Sequence, residues 1–316
     1  MPERTGGMGN KTLDSKGLAH LSIVYVIWGS TYLAIRLAVR EEGGIPPFTL
    51  GAIRTVVAGL ALLGWAALRR TRIRLSRPET VTLALAGLLM WVGGNGMVNF
   101  AEQRTDSGYA ALLVASVPIW GAVIEAILDR RRPSWLLIGS LLVGFAGVGL
   151  LTAPRLAGAA GPDMLAILAL LAAPLLWATG SVLQLRRPTG VTPLVNAAYL
   201  HLFGAVGFIV IALVAGERLP RSSPEAWGAL GYLIVAGSII SFTSYIRSLH
   251  LLPTSVAMTY AYVNPVIAVV LGWLLLREPI TPPILGGMAF ILVGVWGVFR
   301  ERFRAPAPPR SGLPST

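Results

Sequence analysis

One long apolar segment of the chain occurs twice, about 147 positions apart. Residues 108–150 and 255–297 align at this single offset without a gap. Identical residues fall opposite each other along both copies, including Ala110 and Ala257, Pro118 and Pro265, Val123 and Val270, Leu128 and Leu275, Arg130 and Arg277, Gly139 and Gly286, Gly147 and Gly294, and Val148 and Val295. In a bilayer, a duplicated apolar chain can enclose a site between its two halves.

The composition favours a membrane protein over a soluble domain. Apolar residues make up 54% of the 316 residues and charged residues only 13%. Apolar runs of about 20 residues, which suffice to cross a bilayer, predict ten transmembrane helices. We place these helices at 19–40, 46–68, 79–100, 107–128, 134–153, 163–185, 192–215, 225–246, 254–276 and 281–299. The predicted fold is one all-α bundle embedded in a membrane, since the short loops leave no room for a soluble domain.

Basic residues are distributed unequally between alternate loops. One set of segments holds 18 of them and the other set holds 6. The richer set comprises Arg4, Lys11, Lys16, Arg69, Arg70, Arg72, Arg74, Arg77, Arg130, Arg131, Arg132, Arg186, Arg187, Arg247, Arg300, Arg302, Arg304 and Arg310. The positive-inside rule therefore predicts that both termini are cytoplasmic. Despite the net charge of +12, no nucleic-acid partner is expected, because such a groove needs its charges on one continuous face.

Two repeats of five helices are expected at 19–153 and 163–299, with an N-terminal tail at 1–18 and a disordered C-terminal tail at 300–316. Because each repeat has five helices, an odd number, the first helices of the two repeats cross the membrane in opposite directions. The repeats are then related by a pseudo-twofold axis in the membrane plane. This arrangement favours a transporter that opens alternately to each side.

A symmetric pair of prolines falls near the middle of predicted helices four and nine. Pro118 and Pro265 each remove a backbone hydrogen bond and clash with the carbonyl four residues earlier, which belongs to Val114 or Ala261. Carbonyl groups freed at that depth must be covered by protein or face a cavity. A packing kink would explain either proline alone, whereas the symmetric pair predicts that both helices kink around a shared cavity.

Aromatic and polar side chains deep within the predicted helices are candidates for lining that cavity. Trp28 and Trp177 occupy matching helices of the two halves, and a buried indole needs a hydrogen-bond acceptor. Polar side chains recur with helical spacing and point inward because exposure to lipid costs free energy. The candidate cavity residues are Trp28, Tyr32, Asn95, Asn99, Trp177, Gln184, Tyr245, Tyr260 and Asn264. The same side chains could instead bond neighbouring helices together.

Three ionisable residues are expected within the membrane, namely Arg36, Arg54 and Glu102. Either arginine could bind a substrate carboxylate, pair with Glu102 or bond helix-end carbonyls, and for Arg54 we favour the structural pairing. No chain of buried acids is visible, so the sequence does not identify the ion that would drive transport. The sequence has no cysteine, nucleotide-binding loop or metal-binding motif, and we expect no catalytic residue, metal or cofactor.

The chain resembles the EamA family of the drug/metabolite transporter superfamily, most closely its YedA-like bacterial inner-membrane branch. The matching stretches include Ile27-Trp28-Gly29-Ser30-Thr31-Tyr32, Gly51-Ala52-Ile53-Arg54, Gly94-Asn95-Gly96-Met97-Val98, Ala101-Glu102 and Tyr260-Ala261-Tyr262-Val263-Asn264-Pro265. The resemblance implies ten helices in two inverted EamA repeats, both termini cytoplasmic, and efflux or exchange of small metabolites, commonly amino acids. One departure is Asp129-Arg130-Arg131, where the family often has an acid that Arg277-Glu278-Pro279 retains in the second repeat.

We therefore predict a secondary transporter of the bacterial inner membrane, not an enzyme, that exports or exchanges small metabolites such as amino acids by alternating access. Its expected partners are a small-molecule substrate and the lipid bilayer. A channel-like facilitator and a non-transporting scaffold or integral membrane enzyme are the alternatives. Glycine-rich faces on helices five and ten allow a homodimer, although they could equally pack within one bundle.

Overall fold

The computed structural model describes residues 13–40, 42–104, 107–156, 163–217, 222–276 and 281–304. These residues form helices and connecting turns, without strands. The last helix continues through Arg304, so residues 300–304 do not belong to a disordered tail as predicted. The remainder of that tail, most of the N-terminal tail and the Arg277-Glu278-Pro279 segment lie outside the described residues.

The described helices include two stretches of π-helix, named π1 and π2, and the rest are α-helices. In chain order they are α1 Ser15–Val39, α2 Pro47–Leu68, α3 Arg77–Gly87, π1 Leu88–Gly96, α4 Met97–Glu102, α5 Ser107–Val114, α6 Val117–Asp129, α7 Trp135–Leu156, α8 Met164–Arg186, α9 Pro193–Val214, α10 Pro224–Tyr232, π2 Leu233–Phe242, α11 Thr243–Leu251, α12 Thr254–Ala257, α13 Tyr260–Leu276 and α14 Pro282–Arg304. The segments α3–π1–α4 and α10–π2–α11 each form one continuous long helix.

Nine helices in the described part of the chain are long and apolar enough to span a membrane. The stretch Trp135–Leu150 within α7 is a shorter apolar helix. Local signals in the sequence set the helix starts, because Asp14 and Asp163 accept backbone hydrogen bonds at the first turns of α1 and α8. All-helical membrane architecture was therefore predictable from apolar runs and capping residues.

Predicted helices four and nine are interrupted, and the interruptions do not match. The first lies at Ala115 and Ser116, which places Pro118 in the first turn of α6, where a missing N–H costs little. The second lies at Met258 and Thr259, whereas Pro265 lies inside α13. The prediction that both prolines occupy the middle of an unbroken helix is therefore wrong for Pro118.

The main helix pairs each join the two halves of the chain. Helix α2 packs on α9, and α7 packs on α14. Helix α1 packs between α10–π2–α11 and α13 of the second half, just as α8 packs between α3–π1–α4 and α6 of the first. Exchanging the two halves thus reproduces the same set of contacts, as expected for two repeats related by a pseudo-twofold axis.

Alternate loops meet at opposite ends of the bundle. At one end, here called the basic end, Arg186 binds Asp129 and the amide of Gly190 donates to Glu79. At the other, the distal end, Arg40 donates to Ser223. The charge-rich segments around Arg72, Asp129 and Arg186 therefore share the basic end.

Glycine faces bring α7 and α14 into close contact. A Cβ atom added at Gly294 would lie 2.6 Å from Cα of Gly144, and one at Gly147 would lie 2.7 Å from the amide nitrogen of Ile291. Both distances are too short for any side chain. The glycine-rich faces of helices five and ten are thus used within the bundle.

Candidate functional site

A cavity lies between the two halves of the bundle. It contains about 630 Å³ of empty space, which includes its open mouth. Both halves contribute to its wall, which consists of Trp28, Thr31, Tyr32, Ile35, Arg54, Trp91, Gly94, Asn95, Val98, Val114, Val117, Ala173, Pro174, Trp177, Tyr260 and Asn264.

Aromatic rings centred on Trp28 form the floor of the cavity. The ring centroid of Trp28 lies 5.6 Å from that of Trp177 and 4.8 Å from that of Tyr260, and the ring of Tyr245 supports it from behind at 5.1 Å. The indole nitrogen of Trp28 donates to the carbonyl oxygen of Gly237 at 3.0 Å. Because the buried N–H is satisfied and neighbouring rings hold the indole on several sides, this floor is a rigid apolar surface.

The cavity occupies the half of the bundle nearer the distal end. On α1 its wall runs from Trp28 to Ile35, toward the end of the helix at Val39. On the other side of Trp28 the side chains are packed, since the hydroxyl groups of Tyr25 and Thr259 hydrogen-bond at 2.6 Å and Met258 is fully buried. The protein is thus closed toward the basic end.

Arg54 places a buried cation on the cavity wall. Its side chain is 3% exposed, its Nε donates to Oγ of Ser238 at 2.8 Å, and its guanidinium lies 5.1 Å from the ring centre of Trp91. Its Nη1 has no hydrogen-bond partner. Among the described wall residues Arg54 alone carries a charge. Because a guanidinium stays protonated in proteins, the wall presents an uncompensated positive group.

Two asparagines add unpaired acceptors to the same wall. The Oδ1 atoms of Asn95 and Asn264 are buried and lack hydrogen-bond partners, and the side chain of Asn264 lies close to the hydroxyl of Tyr32. A buried acceptor without a donor costs about 1–3 kcal/mol. The wall residues therefore carry one unpaired cationic donor and two unpaired carbonyl oxygens, and all three atoms are buried.

Six of the nine predicted cavity residues lie on this wall, and the structure brings them together from four helices. These six are Trp28, Tyr32, Asn95, Trp177, Tyr260 and Asn264. The wall also includes Val114 and Val117, which flank the interruption before Pro118, and Pro265 directly follows Asn264. Both prolines thus lie next to wall residues, although their local conformations differ.

The other three predicted residues are not on the wall. Nδ2 of Asn99 lies 3.4 Å from the carbonyl oxygen of Pro47 on α2. Gln184 is buried toward the basic end, with Nε2 at 3.5 Å from Sδ of Met90. The hydroxyl of Tyr245 lies 2.9 Å from Oγ of Ser181, behind the aromatic floor. Each is a packing contact between helices, the alternative that the sequence left open.

The structural partners predicted for Arg54, which were Glu102 and helix-end carbonyls, are not the one observed. The structure shows Ser238 beside Arg54, and it is Arg36 that acts electrostatically on Glu102. Neither Arg36 nor Glu102 lies on the cavity wall. The expected ionic role of Glu102 within the membrane is therefore separate from the cavity.

Several wall residues were missed from the sequence, and two of them carried a usable signal. Pro174 lies inside α8, where a proline is rare. Gly94 belongs to a glycine-rich segment, and a Cβ added there would lie 2.7 Å from Cε3 of Trp177. Thr31 and Val98 offered no signal beyond their position on a helix that also carries predicted residues.

Comparison with known proteins decides the family. The profile of the EamA-like transporter family matches residues 15–153 and again residues 164–300. The chain belongs to the EamA-like transporter family. The uncharacterized inner membrane transporter YedA of Escherichia coli (strain K12) is 33% identical over 293 residues, which cover 92% of each chain. This EamA protein is accordingly a multi-pass transporter of the bacterial inner membrane.

More distant relatives also match nearly the whole chain. The S-adenosylmethionine/S-adenosylhomocysteine transporter of Chlamydia trachomatis serovar L2 is 24% identical, covering 88% of this chain and 87% of that protein. One solved crystal structure superposes with a TM-score of 0.75 at 21% identity, covering 93% of this chain and all of that one. At this identity the likeness concerns the fold alone.

Proposed function

We propose that this EamA protein is a secondary transporter with ten membrane-spanning helices and cytoplasmic termini, which exports or exchanges small zwitterionic metabolites such as amino acids. The observation that carries this proposal is the unpaired Nη1 of Arg54 on a cavity wall otherwise free of charge among the described residues. A substrate carboxylate would form a charge-assisted hydrogen bond there.

The remaining groups of the wall suit the other parts of such a substrate. The Oδ1 atoms of Asn95 and Asn264 would accept hydrogen bonds from an ammonium group. The rings of Trp28, Trp177 and Tyr260 would contact an apolar or aromatic side chain. The transporter from Chlamydia trachomatis, whose named substrates are S-adenosylmethionine and S-adenosylhomocysteine, supports small amino-acid-like metabolites as a substrate class.

Alternating access explains why the cavity is closed toward the basic end. A channel needs a continuous path, whereas Tyr25, Thr259 and Met258 fill the half below the floor. The matching helix contacts of the two halves would allow the mirror arrangement, closed at the distal end and open at the basic end. This favours a carrier over a channel-like facilitator.

Counterflow in proteoliposomes tests the proposal. Proteoliposomes that contain the purified protein would be loaded with one unlabelled amino acid at a time, from a panel of aromatic, branched and polar ones. Uptake of the same compound in labelled form would then be measured. Wild-type protein should accumulate at least one label transiently. Arg54→Leu should abolish this, and Arg54→Lys should retain part of it because the charge remains.

Arg69 provides a matched control, since its guanidinium lies 5.2 Å from the ring centre of Trp65 but at the exposed end of α2. Arg69→Leu should transport like wild type. Absence of counterflow with every compound would overturn the proposed function. Equal counterflow by wild type and Arg54→Leu would overturn the role of Arg54. Thermal unfolding of each variant in detergent distinguishes loss of binding from loss of folding.

A further inference from the structure

Glu102 is a buried acid that the substrate cavity does not use. It is the last residue of α4, at the distal end of its long helix, and it is only 7% exposed. Neither of its carboxylate oxygens has a hydrogen-bond partner. An ionised carboxylate in this situation is strongly unfavourable, so the site favours a state in which a cation neutralises it.

A further unpaired oxygen lies one turn earlier on the same helix. The Oδ1 atom of Asn99 is fully buried and has no hydrogen-bond partner. Residues three apart on a helix are neighbours on its surface, so the Asn99 and Glu102 side chains begin close together. Carbonyl and carboxylate oxygens are the ligands of hard cations, and the same carboxylate can take up a proton.

The charges around Glu102 do not already neutralise it through a hydrogen bond. Helix α4 packs against α1, α2, α5 and α8. Their described charged or titratable groups on the distal side are Arg36 and Tyr32 on α1, which interact electrostatically with Glu102, Arg54 on α2, and Asp163 before α8, which pairs with Arg104 at 3.7 Å. The side chains of Asp106 and Tyr109 lie outside the described residues.

Tyr32 connects Glu102 to the cavity. The tyrosine lies on the cavity wall close to the side chain of Asn264, and it interacts electrostatically with Glu102. Asn264 belongs to the second half of the chain, whereas Tyr32 and Glu102 belong to the first. A change in the charge of Glu102 therefore acts on a contact that joins the two halves at the cavity wall.

On the basis of the proposed function, we propose that Glu102 is a binding site for a monovalent cation, either H⁺ or Na⁺, whose occupancy couples an ion gradient to transport. The cation neutralises the carboxylate from the distal end, without any covalent change beyond protonation in the case of H⁺. Its binding stabilises the arrangement in which Tyr32 and Asn264 hold the two halves together, and its release destabilises that arrangement.

To test this site, accumulation of substrate driven by an ion gradient is compared with counterflow of the same substrate. Proteoliposomes would be prepared with wild type, Glu102→Gln and Glu102→Asp, and a labelled amino acid that wild type exchanges would be used under a pH gradient or a Na⁺ gradient alone. One gradient should drive accumulation by wild type. In Glu102→Gln the ratio of accumulation to counterflow should fall by about fivefold or more, the lower end of typical coupling between sites. Glu102→Asp should retain part of it.

Glu125→Gln is the matched control, because Glu125 lies in α6 near the basic end and away from the cavity wall. It should behave like wild type. If Glu102→Gln accumulates substrate as well as wild type under every gradient, or if neither gradient drives wild type, the inference is overturned while the proposed function stands on counterflow. Loss of counterflow and accumulation to the same degree would indicate a structural role instead.

Cation binding can also be measured without any substrate. The unfolding temperature of purified wild type should rise with Na⁺ relative to K⁺, or with acidification, since ligands that bind the folded state stabilise it. In Glu102→Gln that rise should be absent, whereas Glu125→Gln should retain it. An identical rise in Glu102→Gln would exclude this carboxylate as the binding site even if no transported amino acid were found.

Discussion

The indole of Trp28 meets the indole of Trp177 edge-on, with ring centroids 5.6 Å apart and ring planes at 77°. The two residues come from different repeats, and both line the cavity. Edge-to-face pairs contribute about 0.5–1.5 kcal/mol beyond their buried area. The floor of the cavity is thus also a contact that holds the two halves together, and substrate bound on it would touch both halves at once.

Truncation of Trp177 should therefore weaken both stability and transport. Trp177→Ala removes a large side chain from the centre of the bundle, for which we expect a loss of about 3–5 kcal/mol in the free energy of unfolding. Trp135→Ala is the control, since Trp135 is 88% exposed, and should change it by no more than about 0.5 kcal/mol. Denaturant titration in detergent measures both, and a similar cost for the two variants would contradict the assigned role of the floor.

A methyl group at Gly94 should obstruct the cavity. The added Cβ would lie 2.7 Å from the ring of Trp177, so Gly94→Ala must displace the indole from the floor. We expect a lower counterflow rate. Gly64→Ala adds the same group where no atom lies within 4 Å and should stabilise α2 by up to about 1 kcal/mol. Normal transport by Gly94→Ala would show that the indole position is unimportant.

Cysteine labelling should report which end of the bundle is open. The natural sequence has no cysteine, so single replacements can be labelled without background. A membrane-impermeant maleimide added to the periplasmic side should modify Val114→Cys, on the cavity wall. It should not modify Val256→Cys, because Val256 is fully buried below the floor. Labelling of Val256→Cys from that side, or of Val114→Cys only from the cytoplasmic side, would contradict the proposed orientation.

Loss of the Asp129–Arg186 ion pair should favour opening at the basic end. The pair joins α6 of the first half to α8 of the second, with Nη1 to Oδ1 at 2.6 Å, and each side chain is 42% exposed. Such exposed pairs contribute about 0–1 kcal/mol, which corresponds to at most about a fivefold shift between two states. Asp129→Asn should raise cytoplasmic labelling of Val256→Cys within that limit, with little change in unfolding temperature.

High salt provides the control for that experiment. Screening weakens exposed ion pairs, so salt should raise the labelling rate of the protein with Asp129 and leave that of Asp129→Asn unchanged. An equal response of both proteins to salt would mean that the pair does not hold the basic end closed.

The helices were predictable because their signals are local. Apolar runs indicate their positions, and Asp14 and Asp163 mark two starts as capping residues. The interruption at Ala115 and Ser116 has a local cause in Pro118, which lies in the first turn of α6 and cannot donate a backbone hydrogen bond. The interruption at Met258 and Thr259 has no such signal in the residues that directly follow it.

The cavity was only partly predictable because its wall depends on helix rotation. Asn95 and Asn99 share a face on a regular α-helix, but Asn95 lies in π1 and Asn99 in α4. The wider turn of a π-helix changes the direction of the side chains across that junction, and Asn99 faces α2 instead. The surroundings of Arg54 depend on Ser238, which is 184 positions away in the sequence, a distance no local pattern spans.

The pairing of α2 with α9 and of α7 with α14 also determines when the protein can finish folding. Each pair combines a helix made early in synthesis with one made late. The first five helices therefore enter the membrane with their principal packing surfaces unmatched, and the glycine face of α7 remains open to lipid until α14, the last helix, has been inserted. Each half thus lacks its principal packing partners until nearly all of the described helices have been made.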